Sequence, residues 1–177
     1  MKNKVYTSYE EFEEIISDIE RNAEVQEMNN FRHHNKTTRY LHSKSVAYES
    51  YNVCKKLGLD YTSAARGGML HDLFLYDSKI GSPNEKGMQL FTHPRLALNN
   101  ANRLFELNKK EQNIILRHMW PVTIIPPKYL EGFIVTIMDK HCAIKEAFIP
   151  LIEQFKFKKV YKLSYISFFL LAIPRII

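Results

Sequence analysis

Gly67-Gly68-Met69-Leu70-His71-Asp72-Leu73-Phe74-Leu75-Tyr76 is small and apolar except at its centre. Such a run predicts a buried helix. An ionised Asp inside it carries a heavy desolvation cost unless something offsets that cost. A bound cation is one strong compensation, and the adjoining His71 is a natural second ligand. The remaining ligands then have to come from elsewhere in the chain.

Working outward, almost every segment predicts a helix. Ser8 and Glu11 form a capping-box pattern ahead of Ile15, Ile16 and Ile19. Thr37 or Thr38 is placed to cap a long helix ending near Leu57, with Gly58 as its stop. Asp60 or Thr62 starts the helix that carries His71-Asp72. A loop follows over Asp77-Ser78-Lys79-Ile80-Gly81-Ser82-Pro83-Asn84. Pro94 suits the first turn of a helix reaching about Leu107. Asn108 caps the next, Lys109 to Met119, which Pro121 ends. Pro126-Pro127 opens a longer helix through Phe133, Ile137 and Ile144. No alternating strand pattern, internal repeat or low-complexity segment interrupts this order. The predicted fold is an all-α bundle, formed by residues 1–177 as a single domain.

Composition narrows the class. The 177 residues are 45% hydrophobic and 25% charged, an ordinary globular balance. Cys54 and Cys142 are the two cysteines, and they form neither a metal-type spacing nor a disulfide framework. A reducing, cytoplasmic setting is the expectation, and the N-terminus lacks the apolar core of a signal peptide. The net charge of +6 comes partly from Lys156, Lys158, Lys159 and Lys162. It lacks the Arg-rich, aromatic-interleaved pattern of a nucleic-acid partner. The segment from Tyr161 to Ile177 is strongly apolar but falls short of a membrane span. It is expected to pack on the bundle or on a partner such as a second subunit. Peripheral membrane contact is the lesser alternative.

The residues that carry chemistry resemble the opening pair. His42 sits within Arg39-Tyr40-Leu41-His42-Ser43, and His93 precedes Pro94. His118 lies just before Trp120-Pro121, and Asp139 follows the apolar run Gly132 to Met138. Each comes from a different predicted helix or helix end, which suits a site inside a bundle. The ordered set His42, His71-Asp72, His93, His118 and Asp139 resembles the HD-domain superfamily of metal-dependent phosphohydrolases. The stretches Ser63 to Asp77, Arg117-His118-Met119-Trp120-Pro121 and Asp139-Lys140 are also similar to a bacterial subgroup of that superfamily. The resemblance spans about Tyr40 to Cys142, and the His-Asp dipeptide alone is a weak motif.

The resemblance implies an HD-domain helical bundle and a hydrolase. His42, His71, Asp72 and Asp139 would hold one metal, and Asp72 would bridge to a second held by His93 and His118. The cofactor would be one or two divalent transition-metal ions, with Fe, Mn, Co, Ni or Zn all compatible with these donors. A metal-bridging hydroxide would attack the phosphorus of a small phosphate mono- or diester, nucleotides included. An alternative is the HD-type di-iron oxygenase, which cleaves C–C or C–P bonds. A non-catalytic regulatory module is a third. The Gly-Tyr-Pro loop associated with the cyclic-dinucleotide branch is absent.

Supporting roles are open at this level. Arg66 is a candidate for substrate phosphate, with an interhelix salt bridge as the equal alternative. Lys140 is a candidate to stabilise phosphate, or else it points to solvent. His34 is a candidate to line the site mouth. Asp77 is a candidate general base or outer partner, or else a loop residue. His33 and His141 read as ordinary histidines, and Cys142 as a small buried apolar residue.

Overall fold

The computed structural model describes residues 8–33, 37–76 and 89–148. Among these every regular element is a helix, and there is no sheet. An isolated antiparallel bridge pairs Arg32 with Thr38. The helices are α1 (Ser8–Glu20), α2 (Ala23–Glu27), α3 (Arg39–Lys56), α4 (Tyr61–Leu70), α5 (Gln89–Leu104) and α6 (Lys109–Arg117). A further helix, α7, covers 130–148. No helix among the described residues is long and apolar enough to cross a membrane. His34, Asp77 and the segment 161–177 lie outside the described residues.

Several predicted boundaries hold for the expected physical reasons. Thr38 caps α3 by accepting from the Leu41 amide. Gly58 follows α3 at φ +68°, a conformation that favours glycine. Asn108 and Glu111 form a reciprocal capping box at the start of α6. Others differ. The Glu11 carboxylate of α1 reaches Tyr51 and Lys55 on α3. Pro94 lies inside α5, whose start is Gln89.

The largest difference falls on the opening stretch. The α4 helix stops at Leu70, His71 is its C-cap, and Asp72 begins a non-helical segment. Side chains from other helices satisfy carbonyls of the segment that follows. The buried Arg39 guanidinium donates to the carbonyls of Phe74 and Tyr76 and stacks 3.6 Å above the Phe74 ring. Asn100 of α5 donates to the Leu73 carbonyl at 2.9 Å. Tertiary hydrogen bonds thus replace the helical ones, so an apolar run can leave the helix without orphaning its backbone.

Two adjacent glycines set how closely α4 is held. A Cβ on Gly68 would stand 2.9 Å from the Ala47 Cα of α3, and one on Gly67 would stand 2.8 Å from the Ile114 side chain of α6. The resulting close packing of α4 on α3 and α6 brings the ends of three helices to one buried place. Around it, Phe12, Ile16 and Ile19 of α1 join Tyr51, Met69 and Leu70 in the main core.

Candidate metal centre

His42 lies in the second turn of α3, with its ring fully buried. Its Nε2 is 3.1 Å from Asp139 Oδ1 of α7. His71 Nε2 stands 3.6 Å from the same Asp139 oxygen and 3.8 Å from Asp72 Oδ2. On the other side of Asp72, Oδ1 is 3.4 Å from His93 Nε2 and 3.6 Å from His118 Nε2. The latter two nitrogens are 2.9 Å apart. All six residues that the sequence nominated as metal ligands therefore converge, from α3, the end of α4, α5, the end of α6 and α7.

These separations suit donors that share an ion. Two ligand atoms each about 2.1 Å from one ion stand about 3.0 Å apart at a right angle and about 3.4 Å apart at the tetrahedral angle. Triads of this kind are His42, His71 and the half-buried Asp139, and the fully buried His71, Asp72 and His118, each able to hold a metal ion. Two of the donor atoms, His71 Nε2 and Asp72 Oδ1, are buried with no hydrogen-bond partner. Leaving such atoms unsatisfied costs roughly 1–3 kcal/mol each, which a cation would offset.

The ring orientations are fixed from behind. His71 Nδ1 bonds the Gly68 carbonyl at 2.7 Å, and His118 Nδ1 bonds the Ile115 carbonyl at 2.8 Å. Each ring must donate from Nδ1, which leaves Nε2 with its lone pair turned inward. His42 Nδ1 faces the Glu146 carboxylate at 3.0 Å, so once Nε2 gives up its proton that nitrogen would be presented in the same way. Glu146 escaped the sequence reading. Its signal was available: it lies seven residues after Asp139, two turns along the same face of α7.

His33 was also passed over. Its ring stacks on His42 with centroids 3.8 Å apart, and its Nε2 is 3.7 Å from Asp72 Oδ2. Together with His42 and Asp72 it forms a further triad able to hold a metal. Nothing local marks His33. It is delivered by the Arg32–Thr38 bridge, which folds the chain back onto the start of α3.

The electrostatics follow from this crowding. Burial alone would raise the Asp72 carboxyl, but His71, His93, His118 and His33 around it hold it below the usual range. Asp139 is also held well below its ordinary value, because His42 and His71 outweigh its burial. Burial and the neighbouring His71 and His93 push His118 down to about 3, which keeps it neutral. Burial would lower His42 too, but Asp139 and Glu146 raise it to about 9.

The supporting candidates divide. Lys140 lies at the centre, with Nζ 3.8 Å from Asp139 Oδ2 and 3.3 Å from the His118 carbonyl. Arg66 is instead committed to an interhelix bridge, donating to both carboxylate oxygens of Asp18 and lying 3.3 Å from Glu111. His141 is exposed. Burial pushes the Cys142 thiol up to about 11, in keeping with a packing role. No family model matches the chain, and neither a curated protein nor a solved structure matches it significantly.

Proposed function

We propose that the chain is an HD-type, metal-dependent phosphohydrolase acting on a small phosphate mono- or diester, nucleotides included. The observation that carries this reading is the division of the Asp72 carboxylate. Its Oδ2 faces His71 while its Oδ1 faces His93 and His118. A carboxylate placed in this way is suited to bridge two ions. One would be held by His42, His71, Asp72 and Asp139, the other by Asp72, His93 and His118. Imidazole and carboxylate donors are compatible with Fe, Mn, Co, Ni or Zn.

Divalent ions at such a site supply Lewis-acid charge and lower the pKa of a water nucleophile. The chain's own residues supply placement. The carbonyls of Gly68 and Ile115 and the Glu146 carboxylate lock three imidazoles in the tautomer that ligates. Asp72 and Asp139 contribute two negative charges against four from two divalent ions. The filled pocket would keep a positive charge that attracts a phosphoester. Lys140 extends that charge toward the outside, since its side chain is 39% exposed. In this reading Lys140 meets a substrate oxygen, and Arg66 ties α4 to α1 and α6.

The test is elemental analysis of untagged protein, then a phosphoester panel on wild type and Asp72→Ala. Hydrolysis supported by several divalent metals, and lost with the metal in Asp72→Ala, is the expected result. Turnover that requires both iron and O₂, with O₂ consumed in step, would replace hydrolysis with oxygenase chemistry.

A further inference from the structure

His33 and His42 form two layers of one arrangement. Their rings stack with centroids 3.8 Å apart and planes 18° apart. Both turn Nδ1 to the Glu146 carboxylate, His42 at 3.0 Å from Oε1 and His33 at 3.7 Å from Oε2. Both turn Nε2 to an aspartate, His42 to Asp139 Oδ1 at 3.1 Å and His33 to Asp72 Oδ2 at 3.7 Å. The layers differ in exposure. The His42 side chain is fully buried, whereas that of His33 is 17% exposed. His33 is therefore the layer nearer the solvent.

The spacing of His33, His42 and Asp72 would admit an ion. The ring orientation points to a different partner. An imidazole ligates along the lone pair in its ring plane. Nearly parallel rings direct their Nε2 lone pairs side by side, one ring thickness apart. An ion in the plane of His42 would lie off the plane of His33. His33 Nε2 thus addresses the layer outside the ion, where an oxygen of a bound ligand would stand. Lys140 marks the same rim from α7. Its Nζ is 3.8 Å from Asp139 Oδ2, and its side chain is 39% exposed. The two rim groups stand beside different aspartates and come from separate parts of the chain, His33 from the segment before α3.

We propose that His33 is a substrate-binding residue that, with Lys140, holds the phosphoryl oxygens of the substrate. This rests on the phosphohydrolase reading above and adds to it a second protein group that meets the phosphate. Glu146 would then hold both layers, His42 for the ion and His33 for the substrate. Inorganic phosphate is a suitable probe, because near neutral pH it offers an O–H as well as bare oxygens. His33 Nε2 can pair with it as donor or as acceptor.

Calorimetry on the full chain tests this in two titrations. The first adds Mn to wild type, His33→Ala and His33→Gln. Both variants should lose less than the roughly tenfold in affinity that marks a ligand or the group orienting one. The second adds inorganic phosphate to the three Mn-loaded proteins. His33→Ala should bind phosphate roughly tenfold more weakly, as loss of one hydrogen bond to an anion implies. His33→Gln keeps an amide N–H in reach and should recover most of that loss. Three results would overturn this inference alone: phosphate affinity unchanged in both variants; a phosphate loss that His33→Gln does not relieve, which would assign it to packing on His42; or a loss of Mn affinity of roughly tenfold or more in both variants, which would make His33 a ligand. Wild type that binds no Mn, or binds Mn but no phosphate, would overturn the phosphohydrolase reading and this inference with it.

Discussion

His93 and His118 bring their Nε2 atoms to 2.9 Å from each other, although one belongs to α5 and the other caps α6. Without an ion, one nitrogen must donate to the other. With an ion, both turn their lone pairs to it. His118 Nδ1 is already committed to the Ile115 carbonyl, so the ligating arrangement is the one its tautomer favours. Metal should therefore stabilise the native state. Addition of Zn or Mn at 100 times its dissociation constant should raise unfolding free energy by about 2.7 kcal/mol. Thermal melts with and without EDTA would register it, and identical melting temperatures would count against a site in the fold.

The Glu146 carboxylate meets His42 at Nδ1, 3.0 Å away, while Asp139 meets the same ring at Nε2. Glu146→Gln should weaken metal affinity roughly 10- to 100-fold, the usual effect of losing such a partner. Titration calorimetry with Mn or Zn would measure it. Lys145, next to Glu146 on α7, is outside the candidate ligand groups, so Lys145→Ala should leave that affinity unchanged.

Proton competition sets a pH window. In the metal-free protein His42 titrates near 9, raised from 6.5 once Asp139 and Glu146 overcome its burial. A raised histidine stabilises the apo fold fully below pH 6.5, and that contribution fades as pH rises through about 9. Metal binding has the opposite sign, because His42 must lose its proton. Affinity should rise at least tenfold per pH unit as pH climbs toward about 9 and then level off. Calorimetry in buffers of different ionisation enthalpy should show a proton released in that range. Affinity that is flat with pH would contradict ligation through His42.

The backbone around Asp72 depends on Arg39, a fully buried cation that holds the carbonyls of Phe74 and Tyr76. Arg39→Met keeps much of the volume and leaves those carbonyls without their donor. Urea denaturation should show a loss of about 3 kcal/mol. A loss below about 1 kcal/mol would mean that other groups hold the segment. Gly68→Ala should also destabilise, by about 1–3 kcal/mol, because the new methyl would press on the α3 backbone at Ala47.

How much of this was legible beforehand depended on the range of the interaction. Asn108 with Glu111, Thr38 and Gly58 act within a few residues, and their roles could be read directly. The six nominated ligands were found because their order along the chain carries information that no single histidine does. The end of α4 at Leu70 was not legible, because the groups that release the helix, Arg39 and Asn100, lie about 30 residues away on either side. His33 was hidden for a similar reason, since a backbone bridge rather than a motif brings it to Asp72. Glu146 was legible from its spacing to Asp139. Arg66 could not be assigned from sequence, because Asp18 and Glu111, its partners, sit on two other helices.

The central claim is that Asp72 joins two groups of histidines around bound metal. Its most direct test is the metal content of purified Asp72→Ala beside wild type, measured by elemental analysis on protein verified as folded by circular dichroism. The account predicts one to two equivalents of a divalent transition metal in wild type and a large loss in the variant. Wild-type metal content in folded Asp72→Ala would contradict it.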